Sequence, residues 1–95
     1  MATIHMHILS TEGHVKIVFD DETSEGREDL ARKVEGLMRE GHACFLRQGD
    51  EENKIVGYDL LNNAWLTRMD SCSGTEMVPV KHEDTVTSVP VIVGG

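Results

Sequence analysis

The chain has 95 residues, with 9 Lys or Arg against 17 Asp or Glu, so its formal net charge is −8 at neutral pH. A chain of this length forms a single domain, because two cores would each bury too little surface to offset the loss of chain entropy. The negative charge repels nucleic-acid phosphates and anionic lipid headgroups, so we expect a protein partner, with neither nucleic-acid nor membrane binding. No apolar stretch reaches the roughly 18 to 20 residues that span a bilayer, and the N-terminus lacks the pattern of a signal peptide. We therefore expect a cytoplasmic protein.

The first third of the chain predicts a β-hairpin. Residues 3–9 alternate between apolar and polar positions, residues 10–13 have turn chemistry, and residues 15–19 resume the alternation. One face of this hairpin collects six apolar side chains: Ile4, Met6, Ile8, Val15, Ile17 and Phe19. A two-stranded hairpin is marginal in water on its own, so this apolar face needs a cover.

Residues 24–40 predict the helix that provides this cover. Four apolar residues recur at helical spacing and define its buried side: Leu30, Val34, Leu37 and Met38. Ser24 is the expected N-cap, since its hydroxyl can accept a hydrogen bond from an amide of the first turn. Gly41 is the expected stop, at the position that favours a left-handed backbone.

The second half of the chain predicts further strands. Residues 43–47 and 54–60 form a second hairpin, in which Gly57 indicates a bulge or a close backbone approach. Residues 64–68 predict a short strand, and residues 77–81 predict an edge strand because a proline within them cannot donate to a ladder. Two strands, a helix and several more strands predict an α+β domain with one helix packed on a mixed or antiparallel sheet.

The chain closes with a distinctive run from residue 84 to residue 95. Its strand-like alternation leads to a short arm of four residues, Pro90, Val91, Ile92 and Val93, and then to Gly94 and Gly95. Neither glycine has a Cβ, so this backbone can extend into a narrow enzyme channel and present the carboxylate of Gly95. We therefore expect a single domain over residues 1–95 with a flexible C-terminal tail at about residues 90–95.

This closing run resembles that of the ubiquitin-like β-grasp sulfur carriers, which include the small subunit of molybdopterin synthase and the thiamine-biosynthesis carrier. Asp84, Val86, Pro90, Gly94 and Gly95 stand at the spacing of that family's acidic turn, apolar strand, proline and diglycine. The resemblance implies a β-grasp-like arrangement of ββα plus further strands. It also implies a carrier or modifier that is itself a substrate, whose Gly95 is adenylated by a ubiquitin-activating-type partner and then thiolated or joined to an amine. The partner would supply ATP and magnesium, so we expect no cofactor on this chain. The sequence is also similar to small phage and bacterial proteins that end in Gly-Gly.

Three histidines are candidates for a metal site. His5 and His7 share a strand face, and His14 on the paired strand lies across from them. No Cys-x-x-Cys or His-x-x-x-His spacing accompanies them, and a fourth ligand is missing. We therefore interpret them as surface polar residues and predict neither a metal site nor a zinc requirement for folding.

The two cysteines do not indicate a disulfide framework. Cys44 lies two residues after His42 on a predicted strand, where alternate side chains point the same way without assured hydrogen-bond contact, so we predict a buried core thiol. Cys72 lies in a Ser/Gly loop and is expected to be exposed, with no assigned role. The chain has no glycine-rich phosphate loop and no Gly-x-Ser-x-Gly motif, so we predict that it is not an enzyme.

An alternative function follows from the charge and the small size. The acidic runs at residues 20–22 and 50–52 lie in predicted connections and are interpreted as solvated loops. A small acidic, non-catalytic binding or inhibitory module of phage- or host-accessory type would contact its target through an acidic face or a sheet edge. The tail distinguishes the two functions, since a carrier needs residues 91–95 free, whereas a binding module leaves them paired into the sheet.

Overall fold

The structure is a computed structural model that describes residues 1–9, 13–68 and 74–91. These residues form one helix, α1 (Ser24–Arg39), and seven strands: β1 (Ala2–Ile8), β2 (Gly13–Phe19), β3 (His42–Gln48), β4 (Glu51–Asp59), β5 (Ala64–Arg68), β6 (Thr75–Pro79) and β7 (Thr85–Pro90). The predicted α+β class is confirmed. Among the described residues, no helix combines the length and the apolar character needed to cross a bilayer.

The seven strands form one mixed sheet in the order β2-β1-β7-β3-β4-β5-β6. The last strand, β7, lies between β1 and β3, parallel to β1 and antiparallel to β3. All other neighbouring strands pair antiparallel. A parallel pair needs a long crossover connection, which the chain between β1 and β7 supplies. The first and last described strands, β1 and β7, therefore lie side by side in the interior of the sheet.

The N-cap of α1 lies one residue before the predicted one, and the helix ends at Arg39, one residue before the predicted end. Thr23, and not Ser24, is the N-cap, since its hydroxyl accepts a hydrogen bond from the amide of Gly26 at 3.1 Å. Thr23 has the extended backbone of an N-cap, whereas Ser24 is already helical. At the other end Gly41 has a φ of +90°, which confirms the predicted left-handed stop.

The core lies between α1 and the inward face of the sheet, as the helical spacing of residues 24–40 and the alternation along the first hairpin predict. Leu30, Val34 and Leu37 are buried, and Met38 is partly buried. On the hairpin β1–β2, four of the six predicted residues are fully buried and Val15 and Ile17 are partly buried. The sheet's outward face carries the other side chains of each strand, including those of His5, His7 and His14.

The second hairpin is longer than predicted. β3 and β4 are joined by Gly49 and Asp50 alone, with a φ of +60° at Gly49. The register shifts between Ile55 and Gly57, which confirms the predicted bulge. A Cβ at Gly57 would lie 3.3 Å from the side chain of Leu66, so a larger residue would crowd this site. The edge strand β6 also begins and ends two residues earlier than the predicted residues 77–81.

Candidate functional site

The chain leaves the sheet beside the C-terminal end of α1. β7 ends at Pro90, which pairs with His42, and the amide of the next residue, Val91, donates to the carbonyl of Gly41 at 3.0 Å. The first two residues of the expected tail are therefore attached to the fold, and Val91 is not free as expected of a carrier, although it is 54% exposed. The remaining tail positions, Ile92, Val93, Gly94 and Gly95, lie outside the described residues, so the predicted reactive end and its freedom of movement stay predictions.

A shallow groove of about 420 Å³ opens where the chain leaves β7. We call it the exit groove, and it is lined by Met38, Gly41, His42, Ala43, Lys54, Ile55, Val56 and Val91. Most of this lining is apolar, and Val56 and Val91 remain exposed within it. A protein that engages the chain beyond Val91 would therefore meet an apolar surface directly beside it.

A chain of polar contacts begins at His42, which lines this groove, and leads to two buried residues, Ser88 and Cys44. Cys44 and Ser88 face each other across β3 and β7, and the Cys44 thiol donates to the Ser88 hydroxyl at 3.8 Å. The Ser88 hydroxyl lies 3.1 Å from Nδ1 of His42, to which it can donate. Burial raises the pKa of the Cys44 thiol, and the Ser88 hydrogen bond acts in the opposite direction. The thiol is therefore neutral at pH 7 and unsuited to nucleophilic attack, in agreement with its predicted place in the core.

Ser88 is the residue that sequence reasoning missed in this chain of contacts. It is fully buried, and it links two side chains that alternate along β3 but do not reach each other directly. The signal for it is weak, because a serine in a strand is normally read as a surface residue. Cys72, the other cysteine, lies outside the described residues.

The three predicted histidines do come together on the outward face. His7 and His14 are direct partners in the β1–β2 register, and their rings stack with centroids 4.7 Å apart. His5 Nδ1 lies 3.4 Å from His14 Nε2. Among the described residues, no group of three or more His, Cys, Asp or Glu side chains is placed to hold one metal ion.

Two residues that the sequence analysis did not single out, His82 and Glu83, complete the histidine cluster. His5 Nε2 donates to one carboxylate oxygen of Glu83 at 2.8 Å, and His82 Nε2 lies 3.2 Å from the other. His82 Nδ1 accepts a hydrogen bond from the amide of Thr3, so its proton is on the nitrogen that faces Glu83. Glu83 has a φ of +74°, a left-handed backbone that non-glycine residues adopt uncommonly. This conformation is held by a hydrogen bond of 2.8 Å from its amide to the Thr3 carbonyl.

Two groups in the cluster have displaced proton equilibria. The hydrogen bond from His5 lowers the pKa of the Glu83 carboxyl. Partial desolvation of the exposed His14 ring, followed by the charges of the neighbouring His7, His5 and Lys16, lowers the pKa of His14. At pH 7 the cluster therefore contains an ionised Glu83 and a neutral His14.

Asp84, the acidic residue just before β7, has a structural role. One of its carboxylate oxygens accepts from the indole of Trp65 at 3.0 Å and from the amide of Lys81 at 2.8 Å. Its backbone carbonyl accepts from the amide of His5 at 2.9 Å. These contacts fix the point at which the chain enters β7 beside β1.

The acidic positions at the β3–β4 turn are accessible. Asp50, Glu51 and Glu52 are all exposed as expected, but only Asp50 lies in the connection, since Glu51 and Glu52 begin β4. They lie at the opposite end of β3 from His42 and the exit groove. The two surfaces can therefore be altered independently.

No protein-family model matches this chain, and no curated protein or solved structure matches it either. These comparisons therefore associate no enzyme family or enzyme fold with it.

Proposed function

We propose that this protein is a ubiquitin-like carrier or modifier that a ubiquitin-activating-type partner activates at Gly95. The observation that carries the proposal is the central position of β7, the strand that precedes Gly94 and Gly95 in the sequence. β7 pairs parallel to β1 and antiparallel to β3, and the order β2-β1-β7-β3-β4 around one helix is similar to the β-grasp arrangement. In this proposal β5 and β6 extend the sheet beyond its β-grasp portion.

The geometry of the chain exit supports this function. Four residues follow Val91 in the sequence, and a fully extended segment of this length would reach at most about 14 Å, at about 3.3 to 3.6 Å per residue. That length lets the Gly95 carboxylate enter a partner's active site while the folded domain remains outside. The two terminal glycines keep the final part of this arm narrow.

The chemistry belongs to the partner and needs only a carboxylate from this chain. A Gly95 carboxylate oxygen attacks the α-phosphate of ATP, pyrophosphate leaves, and an acyl-adenylate forms. Hydrosulfide, a thiol or an amine then attacks the carbonyl carbon and AMP leaves, which yields a thiocarboxylate, a thioester or an amide respectively. The carrier itself supplies no acid, base or metal.

The test is ATP-dependent adduct formation. The protein is incubated with an extract of its source cells, with ATP and magnesium or with ATP removed, and its intact mass is measured. We expect an adduct that requires ATP and that is lost when Gly94 and Gly95 are deleted or when Gly95 is replaced by Phe. Glu35→Ala, at an exposed position of α1 that does not line the exit groove, is the control that keeps the tail intact. Identical mass spectra with and without ATP would contradict the proposal.

The second candidate is a small acidic binding module, which the exit groove and the net charge of −8 favour. Its partner would be a basic protein, because opposite potentials steer association. Reversal of Asp50, Glu51 and Glu52 to Lys should then weaken binding to a captured partner, whereas deletion of Gly94 and Gly95 should leave it unchanged. The carrier proposal expects the opposite pattern for adduct formation.

A further inference from the structure

We propose that His5 and His14 form a two-histidine chelate for a borderline divalent metal ion such as Zn²⁺ or Ni²⁺ on the outward face of the sheet. The ion would bind His5 Nδ1 and His14 Nε2, and water would complete its coordination. This site is independent of the proposed carrier function. The fold does not depend on it, because the apolar core between α1 and the sheet contains neither residue.

The distance between the two nitrogens suits such an ion. His5 Nδ1 and His14 Nε2 lie 3.4 Å apart. Two imidazole nitrogens that bind a tetrahedral zinc ion at about 2.0 to 2.1 Å are separated by about 3.3 to 3.4 Å. The ion would therefore replace the weak contact between the two rings without a movement of either strand.

Glu83 provides the outer carboxylate that metal-bound histidines commonly have. Its Oε2 accepts from His5 Nε2 at 2.8 Å, which places the ring proton on Nε2 and leaves the lone pair of Nδ1 directed toward His14. Glu83 is itself held by His82 and by its backbone hydrogen bond to Thr3. His5 is thus oriented before any ion arrives, and its side chain is 19% exposed.

At neutral pH, metal binding requires only a change of tautomer in His14. A neutral His14 that donates from Nε2 to His5 needs only to move its proton from Nε2 to Nδ1 before Nε2 can bind the ion. The His14 ring is kept in place by stacking on His7.

The charges near the site partly cancel. Lys16 pairs with His5 across β1 and β2 and opposes a cation, whereas the ionised Glu83 favours one. His7 is stacked nearly parallel to His14, with 11° between the ring planes, so its in-plane lone pairs are not directed at the gap. Two protein ligands leave the site open to water and to exchange.

The test is calorimetric titration of the chelator-treated protein with Zn²⁺ and, separately, Ni²⁺ at neutral pH. The variants are His14→Gln, which removes a ligand, and Glu83→Gln, which keeps an acceptor for His5 but removes the carboxylate charge. His42→Asn is the matched control, because it removes a histidine that lies outside the cluster and keeps an acceptor beside Ser88. NMR spectra with Ni²⁺ locate the ion through broadening of imidazole signals.

We expect one ion per chain, with affinity lowered about tenfold or more by Glu83→Gln, which removes an outer-shell partner. His14→Gln should lower it further, and His42→Asn should bind as the unaltered protein does. Broadening should be greatest at His5 and His14. Absence of binding by the unaltered protein up to millimolar metal would overturn the proposal, as would equal affinity in His14→Gln. Equal affinity in Glu83→Gln would overturn the role given to its carboxylate.

Discussion

Leu30→Ala tests the packing of α1 against the sheet. Leu30 is fully buried on the inward side of the helix. At about 0.8 kcal/mol per buried carbon, the loss of its three outer side-chain carbons costs about 2.4 kcal/mol. The cavity adds to this cost, so we expect a total of about 3 to 4 kcal/mol. The whole fold is expected to be stable by about 5 to 14 kcal/mol, at about 0.05 to 0.15 kcal/mol for each residue.

The assay is urea unfolding followed by fluorescence of the single tryptophan, Trp65, which is fully buried. The midpoint should fall while the urea dependence stays unchanged, since the variant alters stability and not the surface exposed on unfolding. Glu35→Ala is the control, because Glu35 is exposed on the same helix and should change stability by less than about 0.5 kcal/mol. Equal losses from the two variants would refute the packing of α1 described above.

Three further predictions concern single contacts. Gly41→Ala should destabilise the protein by about 1 to 2 kcal/mol, because φ is +90° there although nothing blocks a Cβ; thermal unfolding measures this, and an unchanged midpoint would exclude a left-handed Gly41. Asp84→Ala should lower the free energy of unfolding by about 1 to 3 kcal/mol, because it leaves the indole N–H of the buried Trp65 without its acceptor. Urea unfolding measures this loss, and an unchanged stability would show that water replaces the carboxylate. An NMR pH series should give His14 a pKa below the ordinary histidine value. Because its pKa is lower in the folded protein than in the unfolded chain, its contribution to the free energy of unfolding is present above about pH 6.5 and is lost as the pH falls through the folded-state pKa. A normal or raised pKa would contradict the cluster geometry.

The helix and its C-terminal stop could be predicted from the sequence, because both depend on residues that are close together in the chain. The helix followed from the spacing of Leu30, Val34 and Leu37, and its stop followed from Gly41, since periodicity and a left-handed position are properties of neighbouring residues. The N-cap was displaced by one residue because Thr23 and Ser24 carry equivalent hydroxyls. The length of β3 and β4 was underestimated because the polar residues near their turn resemble loop composition.

The missed parts of the candidate sites depend on contacts between distant residues. His5 and Glu83 are separated by 78 positions, and they meet because β7 pairs parallel to β1. Ser88 reaches His42 and Cys44 through the β3–β7 register, which no local pattern specifies. The Trp65–Asp84 hydrogen bond likewise requires the path of the chain from β5 to β7. Such contacts depend on the order of strands in the sheet. The sequence predicted a mixed or antiparallel sheet but did not specify this order.

The central claim is that Gly95 is the residue on which the partner acts. The most direct test is tandem mass spectrometry of the C-terminal peptide from protein recovered after incubation with source-cell extract, ATP and magnesium. The proposal predicts that the modification maps to the Gly95 carboxyl group, as a thiocarboxylate or as an amide to another molecule, and that it is absent when ATP is removed. An unmodified Gly95 under conditions in which the extract activates other carriers would contradict it.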